Sequence, residues 1–390
     1  MIAFDKIRLE NTFLVAEANQ LKTAGFIDSD QCHLIDENLQ QLKTFDNVLI
    51  RLAMFVLGCI FYSTMCGTFS LFFSIASNVS WPIIILFYAF IGVGLQEKVC
   101  VQYNHFFGYG LDDAFILVTI LLFGVSVFQI SGSNEIITSI LISFIASIFY
   151  FRYLNLPSAF VSFIAAAVSL FYSLLHYCIY GKVLMPFAMI LFSVFVLRFF
   201  QKKEKKTILP YYNNGFKLIQ ICCLILFYLS TNYFVVREFS ALLSNSQVLI
   251  SPEIPMAWLF YLLTVCTPFI YLVISIIKKN RLVLWVGIVT FCFTVFTIRN
   301  YHHILPTEVA LSLGGFFLFL FAVFFIKKLR YIESGITFKP DRFASSNSFQ
   351  KLQIIANTTM FGSDLKNNPS NSAMEFGGGD FSGGGAGSSF

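Results

Sequence analysis

Charged residues are scarce in this sequence. Asp, Glu, Lys and Arg make up 12% of its 390 residues, about half the share that a soluble domain carries. Hydrophobic residues make up 57% of the chain, and the mean hydropathy is +0.75. Because so few charges cannot keep such a chain in water, this scarcity excludes a soluble globular fold. Most of the chain is predicted to contact lipid or other membrane helices.

Several chemical motifs are also missing. The nine cysteines contain no CxxC pair, which excludes the usual zinc and disulfide spacings. No P-loop, G-x-S-x-G or kinase signature is present. The basic residues lie beside apolar segments rather than in a separate basic face, which argues against nucleic-acid binding. We therefore expect no cofactor, no metal and no nucleic-acid partner.

The first fifty residues lack the apolar core of a signal peptide, so the first apolar segment is expected to be both signal and anchor. Residues 1–50 instead predict a small cytoplasmic head of two helices. The first helix runs over 1–23 and is broken at Gly25. The second follows Asp28, which has capping-box spacing with Gln31.

Residues 51–328 consist of long apolar segments with short connections, which predicts a transmembrane bundle. A helix needs about 20 mostly apolar residues to cross a bilayer. The fold class is therefore an all-α, polytopic integral membrane helix bundle of about ten spans. The predicted spans are 52–75, 80–95, 112–130, 135–151, 156–177, 183–200, 215–234, 256–277, 282–298 and 306–326.

The basic residues in the connections predict the orientation. With a cytoplasmic N-terminus, sixteen Lys and Arg lie on the inside, and only Lys182, Arg237 and Arg299 lie outside. Basic residues are enriched in cytoplasmic loops. We therefore predict a multi-pass protein of the cell inner (cytoplasmic) membrane with both termini in the cytoplasm.

The chain changes character after the last predicted span. Residues 329–362 form a membrane-proximal cytoplasmic segment, and residues 363–390 are rich in Asn, Ser and Gly. Such a composition cannot bury enough apolar surface to order itself, so we predict a disordered Gly-rich tail that serves as a tether. Phe376, Phe381 and Phe390 leave open a second interpretation, a segment that docks weakly on a partner or another copy.

Small residues recur every four positions on two neighbouring spans. They are Ser139, Ser143 and Ser147 on span four, and Ser158, Ser162 and Ala166 on span five. Stripes of this kind let helix backbones approach closely. Because a short loop joins these spans, we expect the stripes to face each other and to serve helix packing. A hydroxyl-lined path is the alternative.

One polar cluster is a candidate site. Arg299, His302, His303 and Glu308 lie within "RNYHHILPTEV" and offer ligands for a metal or groups for proton transfer. HExxH is absent, and adjacent His residues cannot share a helix face, which favours an ordinary solvated outer loop. This segment and "RYLNLPSA" before span five also share a pattern of Arg, polar turn and Leu-Pro, which hints at an inverted repeat.

Three short stretches carry a family resemblance: "LKTAGFIDSDQCHLI", "YGLDDAFIL" and "ILPTEVALSLGGFFLFL". With the head and the spans, they resemble a family of bacterial predicted membrane proteins of unknown function, the domain-of-unknown-function 2157 type. The tail is similar to the Gly-rich ends of several other bacterial membrane proteins. This resemblance implies a membrane bundle and carries over no catalytic residue.

The sequence favours a non-enzymatic membrane protein that acts as a scaffold, sensor or assembly partner through its head and tail. Its partners would be the bilayer and a protein or second copy bound through head or tail. The alternative is a small-molecule transporter with a site between two inverted five-helix halves. A membrane enzyme is least favoured, because no paired acid and base or metal ligand set is present.

Reporter fusions test the predicted topology. Fusions after Asn78, Lys206 and Lys328 should report outside, inside and inside, because the charge bias retains the basic connections in the cytoplasm. An outside signal at Lys206 would contradict the ten-span arrangement.

Overall fold

A computed structural model describes residues 2–23, 26–45, 47–75, 80–206, 210–243, 256–278 and 280–302, with scattered positions between 312 and 327. Within these ranges the chain forms twelve helices, besides one 3-10 turn and an isolated bridge between Lys43 and Phe106. The helices are α1 (Lys6–Thr23), α2 (Ser29–Asn38), α3 (Val48–Ile75), α4 (Trp81–Leu95, continued by a π-helix over Gln96–Tyr103), α5 (Leu111–Ile130), α6 (Glu135–Tyr153), α7 (Leu156–Tyr177), α8 (Gly181–Lys206), α9 (Asn213–Thr231), α10 (Tyr233–Leu243), α11 (Ala257–Lys278) and α12 (Arg281–His302).

Nine of the described helices, α3 to α9 with α11 and α12, are long and apolar enough to cross a membrane. They correspond in order to the first nine predicted spans, and the prediction of an all-α polytopic membrane bundle is confirmed. The predicted tenth span falls on 306–326, where only scattered positions are described. The predicted Gly-rich tail lies wholly outside the described residues.

The two head helices begin at polar caps. The first starts at Lys6, five residues later than predicted, because the Asp5 carboxylate accepts a hydrogen bond from the backbone N–H of Ile7 at 2.9 Å. At the start of α2, the side-chain oxygen of Gln31 accepts from the backbone N–H of Asp28 at 3.1 Å. This is one half of the predicted capping box.

The second span is longer than predicted. The sequence placed its end at residue 95, but the helix continues as a π-helix to Tyr103. The first two polar residues beyond position 95 are kept within the helix: Gln96 is buried, 1% exposed, and the half-buried Glu97 pairs with Arg152. A π-helical stretch of this kind often occurs at functional positions.

The seventh span ends earlier than predicted, and a short helix follows it. Residue 234 was the predicted end, but α9 stops at Thr231 and Asn232 is extended, with φ −77° and ψ 123°. The side-chain oxygen of Asn232 accepts from the backbone N–H of Val235 at 3.3 Å. Because this bond caps a helix start, the asparagine separates α9 from α10.

Serine side chains bring α6 and α7 together. The Ser143 hydroxyl donates to the Ser162 carbonyl at 3.0 Å, and the Ser162 hydroxyl donates to the Ser143 carbonyl at 3.1 Å. The Ser147 and Ser162 hydroxyls are 2.6 Å apart. Small side chains at these positions allow the two backbones to come within reach of a side-chain hydrogen bond.

The other members of the predicted stripes take part in hydrogen bonds within their own helices. Ser139 donates to the Glu135 carbonyl of its own helix at 2.7 Å. Ser158 is fully buried and donates to Asn155 at 2.7 Å, inside the first turn of α7. Ala166 is half-buried, and its carbonyl accepts from Ser169.

Replacing Ser143 tests the contact between α6 and α7. Ser143→Leu should lower the melting temperature in detergent, because overpacking a close contact costs about 1–3 kcal/mol. Ser143→Ala should cost less, about 0.6 kcal/mol for one interhelical hydrogen bond. Ile140→Leu, on an exposed position of the same helix, is the matched control. An unchanged melting temperature for Ser143→Leu would rule out close packing at this position.

Candidate functional site at the head-side end of the bundle

A buried carboxylate joins three helices at the end of the bundle where α3 begins, here called the head-side end. Asp113, 6% exposed, accepts from the Arg51 Nε at 2.8 Å and from the Asn155 side-chain amide at 2.5 Å. Arg51 lies in the first turn of α3, and Asn155 precedes α7. Asn155 also caps α7, because its oxygen accepts from the backbone N–H of Ser158 at 2.8 Å.

The neighbouring carboxylate of Asp112 fixes the loop before α5. It accepts from the backbone N–H groups of Gly108, Tyr109 and Gly110, at 2.8, 3.0 and 2.9 Å. Gly110 has φ +102°, and a Cβ there would collide with the Arg51 carbonyl. The "GYGLDD" stretch is thus a turn that is held by a carboxylate.

A second ion pair lies on the π-helical extension of α4. Arg152 donates to Glu97 at 2.7 Å, and the Tyr153 hydroxyl donates to the same carboxylate at 2.9 Å. Next to this pair, both polar atoms of the buried Gln96 side chain lack a hydrogen-bond partner within the described ranges. The two ion pairs fix α3 to α5 and α4 to α6 at the same end of the bundle.

The head is attached to this end by backbone hydrogen bonds. The Ala3 N–H donates to the Arg152 carbonyl at 2.9 Å, and the Lys43 N–H donates to the His105 carbonyl at 2.9 Å. The Phe107 N–H returns a bond to the Lys43 carbonyl at 3.0 Å. These three contacts are here called the head joint.

Apolar packing surrounds the head joint. Leu9 of α1 is fully buried and Leu42 is 4% exposed, and both belong to one core with Ile116 of α5 and Phe149 of α6. The turn before α9 completes this core, where burial raises the pKa of the Tyr212 phenol. The head therefore shares its core with the bundle instead of having one of its own.

The second half of the bundle contains a buried hydroxyl layer, centred on the helix break. The Asn232 amide donates to the Tyr228 hydroxyl at 2.9 Å and to the Thr297 hydroxyl at 3.0 Å. Tyr228 is 2.8 Å from the Thr294 hydroxyl, which donates to the Thr264 carbonyl at 3.0 Å. The layer joins α9, α11 and α12 without any charged group among these side chains.

The predicted polar cluster is only partly described. Arg299 lies in α12, which continues to His302, so the predicted outer loop begins at least four residues later than expected. The side chain of His302 and all of His303 and Glu308 lie outside the described residues. The predicted cluster therefore stays a prediction, since only Arg299 among its four side chains lies within the described residues.

Two acidic side chains at the head-side end are used in ion pairs. The described ranges contain no group of three His, Cys, Asp or Glu side chains that would hold a metal ion. The carboxylates of Asp113 and Glu97 are each paired with an arginine. These ion pairs neutralise buried charge and fix the ends of the helices. They thereby order the surface on which the head packs.

The residues that form the head-side end were not predicted as a site. Arg51 and Arg152 were counted only as topology signals, and Glu97 only as the end of a span. The signal was incomplete, since the opposite charges lie at the ends of helices that are separated in the chain by one other helix, α3 and α5 for one pair and α4 and α6 for the other. Sequence spacing alone did not specify which carboxylate meets which arginine.

The comparisons with known proteins add no assignment. Neither protein-family models, nor curated proteins, nor solved structures match this chain. The class of protein therefore rests on the fold itself, a multi-pass membrane helix bundle with a docked N-terminal head.

Removing one partner of the Asp113 pair should loosen the bundle. Asp113→Asn and Arg51→Gln each leave a partly buried charge unpaired, which costs 3–5 kcal/mol in a fully buried pair and about 1–3 kcal/mol here, since Arg51 is 38% exposed. Unfolding in detergent measures the loss.

The double variant Arg51→Gln/Asp113→Asn should cost less than the sum of the single changes, because paired residues couple. Glu135→Gln, at an exposed first-turn position, serves as the control and should have little effect. Strict additivity of the two single changes would show that the pair does not stabilise the fold.

Proposed function

We propose that this chain is a non-enzymatic integral membrane protein that acts as a sensor, scaffold or assembly partner through its head and tail. The observation that carries the proposal is the core shared by α1 with α5 and α6, in which Leu9 is fully buried. The head is thus held at the bundle while its other face remains open to partners.

Close packing gives this arrangement its mechanism. Protein interiors are close-packed, so they transmit displacement instead of absorbing it. A shift of the α5 and α6 ends therefore moves α1, and the head joint carries the same shift through Ala3 and Lys43. A displacement of these helices inside the membrane would in this way move the head.

The outer face of the head suits a protein partner or a second copy. Ile7 and Leu14 of α1 are 70% and 52% exposed, and Leu34 of α2 is 58% exposed. Exposed apolar side chains on a small head favour contact with another protein. The lipid bilayer is the remaining partner, and we propose no role for nucleic acid.

The cellular setting belongs to the same proposal. The excess of basic residues on one side supports an inner-membrane protein with both termini in the cytoplasm. The likeness to bacterial membrane proteins of unknown function rests on the three short stretches given above. With this orientation the head would lie on the cytoplasmic side, where a soluble partner would meet it.

Small-molecule transport, with a site between two inverted five-helix halves, is the second candidate. The helix break at Asn232 favours it, since transporters bind substrates at interrupted helices. The hydroxyl layer of α9, α11 and α12 would supply the polar groups of such a site. Its hydroxyls are largely bonded to one another, which is why this candidate stands second.

Photo-crosslinking in the intact membrane separates the two candidates. A photoreactive residue at Ile7 or Leu14 should give discrete adducts with a protein or with a second copy, because these side chains face away from the bundle. The same residue at Leu191, exposed in α8, is the control and should give lipid adducts.

Removing residues 363–390 from each of these crosslinking variants would show whether the tail contributes to partner binding.

A Leu9→Ser change in this background should reduce the head adducts, because it loosens the core that positions α1. Absence of protein adducts at both head positions, together with solute uptake by proteoliposomes, would replace the first candidate by the second.

A further inference from the structure

An apolar cavity of about 270 Å³ lies among α8, α9, α10 and α11. It stands apart from the head joint, because α7 is 22 residues long and separates the head-side end from the start of α8 by about 33 Å. Its walls include Met185, Met189 and Phe260, which are 5%, 8% and 3% exposed.

The walls offer almost nothing for a polar ligand to bond. Two serines are the only uncharged polar side chains in the lining, Ser230 and Ser240, and the Ser230 hydroxyl donates to the Leu226 carbonyl at 2.8 Å. A bound water needs two to four polar partners, so a lining this apolar does not favour water. It does stabilise a hydrocarbon chain, through burial and dispersion contacts.

A single cation lies at the edge of this cavity. Among the lining residues Lys182 alone is charged, and its ammonium donates to the Leu243 carbonyl at 2.8 Å. This bond holds the ammonium at the C-terminal end of α10. An ammonium has three donors, and within the described ranges only Leu243 takes one of them, which leaves two for a ligand or for solvent.

The surroundings of Lys182 are those of a membrane interface. Tyr177 and Tyr180 are 75% and 77% exposed just before α8, and Ile179 is 96% exposed. Aromatic residues are enriched at this level of a bilayer, where polar headgroups meet hydrocarbon. A cation at the interface and a cavity beneath it match a molecule with an anionic head and one apolar chain.

We propose that this cavity binds a single-chain anionic amphiphile, a fatty carboxylate, with its chain in the cavity and its head on Lys182. The volume supports one chain instead of two, because it lies just below the roughly 300–1,000 Å³ of pockets that hold drug-sized ligands. One lysine matches one carboxylate. This site goes beyond the proposed role of the head and does not depend on it.

Binding of spin-labelled stearate to the full chain in phosphatidylcholine nanodiscs tests the proposal. The spectrum should contain a saturable immobilised component, and unlabelled palmitate should displace it. Hexadecanol has a similar chain without the charge, so it should compete at least about tenfold more weakly, since hydrogen bonds to charged groups are the stronger ones. Equal competition by hexadecanol would overturn the role of Lys182.

Two variants locate the site. Lys182→Gln keeps a donor for Leu243 but removes the charge, and it should weaken binding about tenfold. Ser230→Leu fills the cavity and should abolish the immobilised component. Lys202→Gln, the same charge change in the last turns of α8, is the control and should bind like the wild type.

The wild-type competition keeps the test decisive if a variant fails to fold. Unaltered stearate binding by a folded Ser230→Leu variant would overturn the cavity as the site. Displacement of stearate by phosphatidylglycerol as effectively as by palmitate would overturn the single-chain assignment in favour of a diacyl lipid.

Discussion

The arrangement of the head-side end depends on neutralising the buried carboxylate of Asp113. A charge taken out of water costs several kcal/mol unless it is paired and hydrogen-bonded. Arg51 and Asn155 meet that demand from two other helices, so neutralising one side chain fixes α3 and α7 against α5. Asp112 then orders the loop whose residues 105 and 107 receive the head. Placement of the head thus follows from where the charge is buried.

Different interactions hold the helices together in the two halves of the bundle. Hydrocarbon gives helices no hydrophobic reason to associate, so polar bonds and close packing must hold them. In the first half, ion pairs at the helix ends and the serine contacts of α6 and α7 do this. In the second half, uncharged hydroxyls of α9, α11 and α12 around Asn232 do so. Neutral groups suit apolar spans, because a charge inside a bilayer is far more costly.

The sequence predicted the fold class and the order of nine spans, because the spans are set by length and apolar content. It failed where a polar residue has a distant partner. Glu97 marked the end of a span in the sequence, yet Arg152, 55 residues later, lets the helix continue to Tyr103. Asn232 lay inside a predicted span, and its bonds to Val235 and Thr297 turn it into a boundary. The serine contact of α6 and α7 could be predicted from the sequence, because a short turn joins the two helices. The head joint could not, because its contacts join residues that are roughly 60 to 150 positions apart, and no local pattern encodes such contacts.

The interruption at Asn232 has a further property. Its backbone N–H donates to the Tyr228 carbonyl at 2.9 Å, and its carbonyl accepts from the Val236 N–H at 3.0 Å. The residue therefore ends one helix and starts the next while its own main-chain donor and acceptor are both used. In a bilayer an open backbone group costs several kcal/mol, so most helix breaks need water or a neighbouring helix to repair them. Here the Asn232 side-chain oxygen accepts from the Val235 N–H, and the Thr264 hydroxyl of α11 accepts from the Tyr233 N–H at 2.9 Å. One side chain at the break and one from a neighbouring helix thus bond the first donors of α10, so α9 can end and α10 begin without leaving those groups open to hydrocarbon.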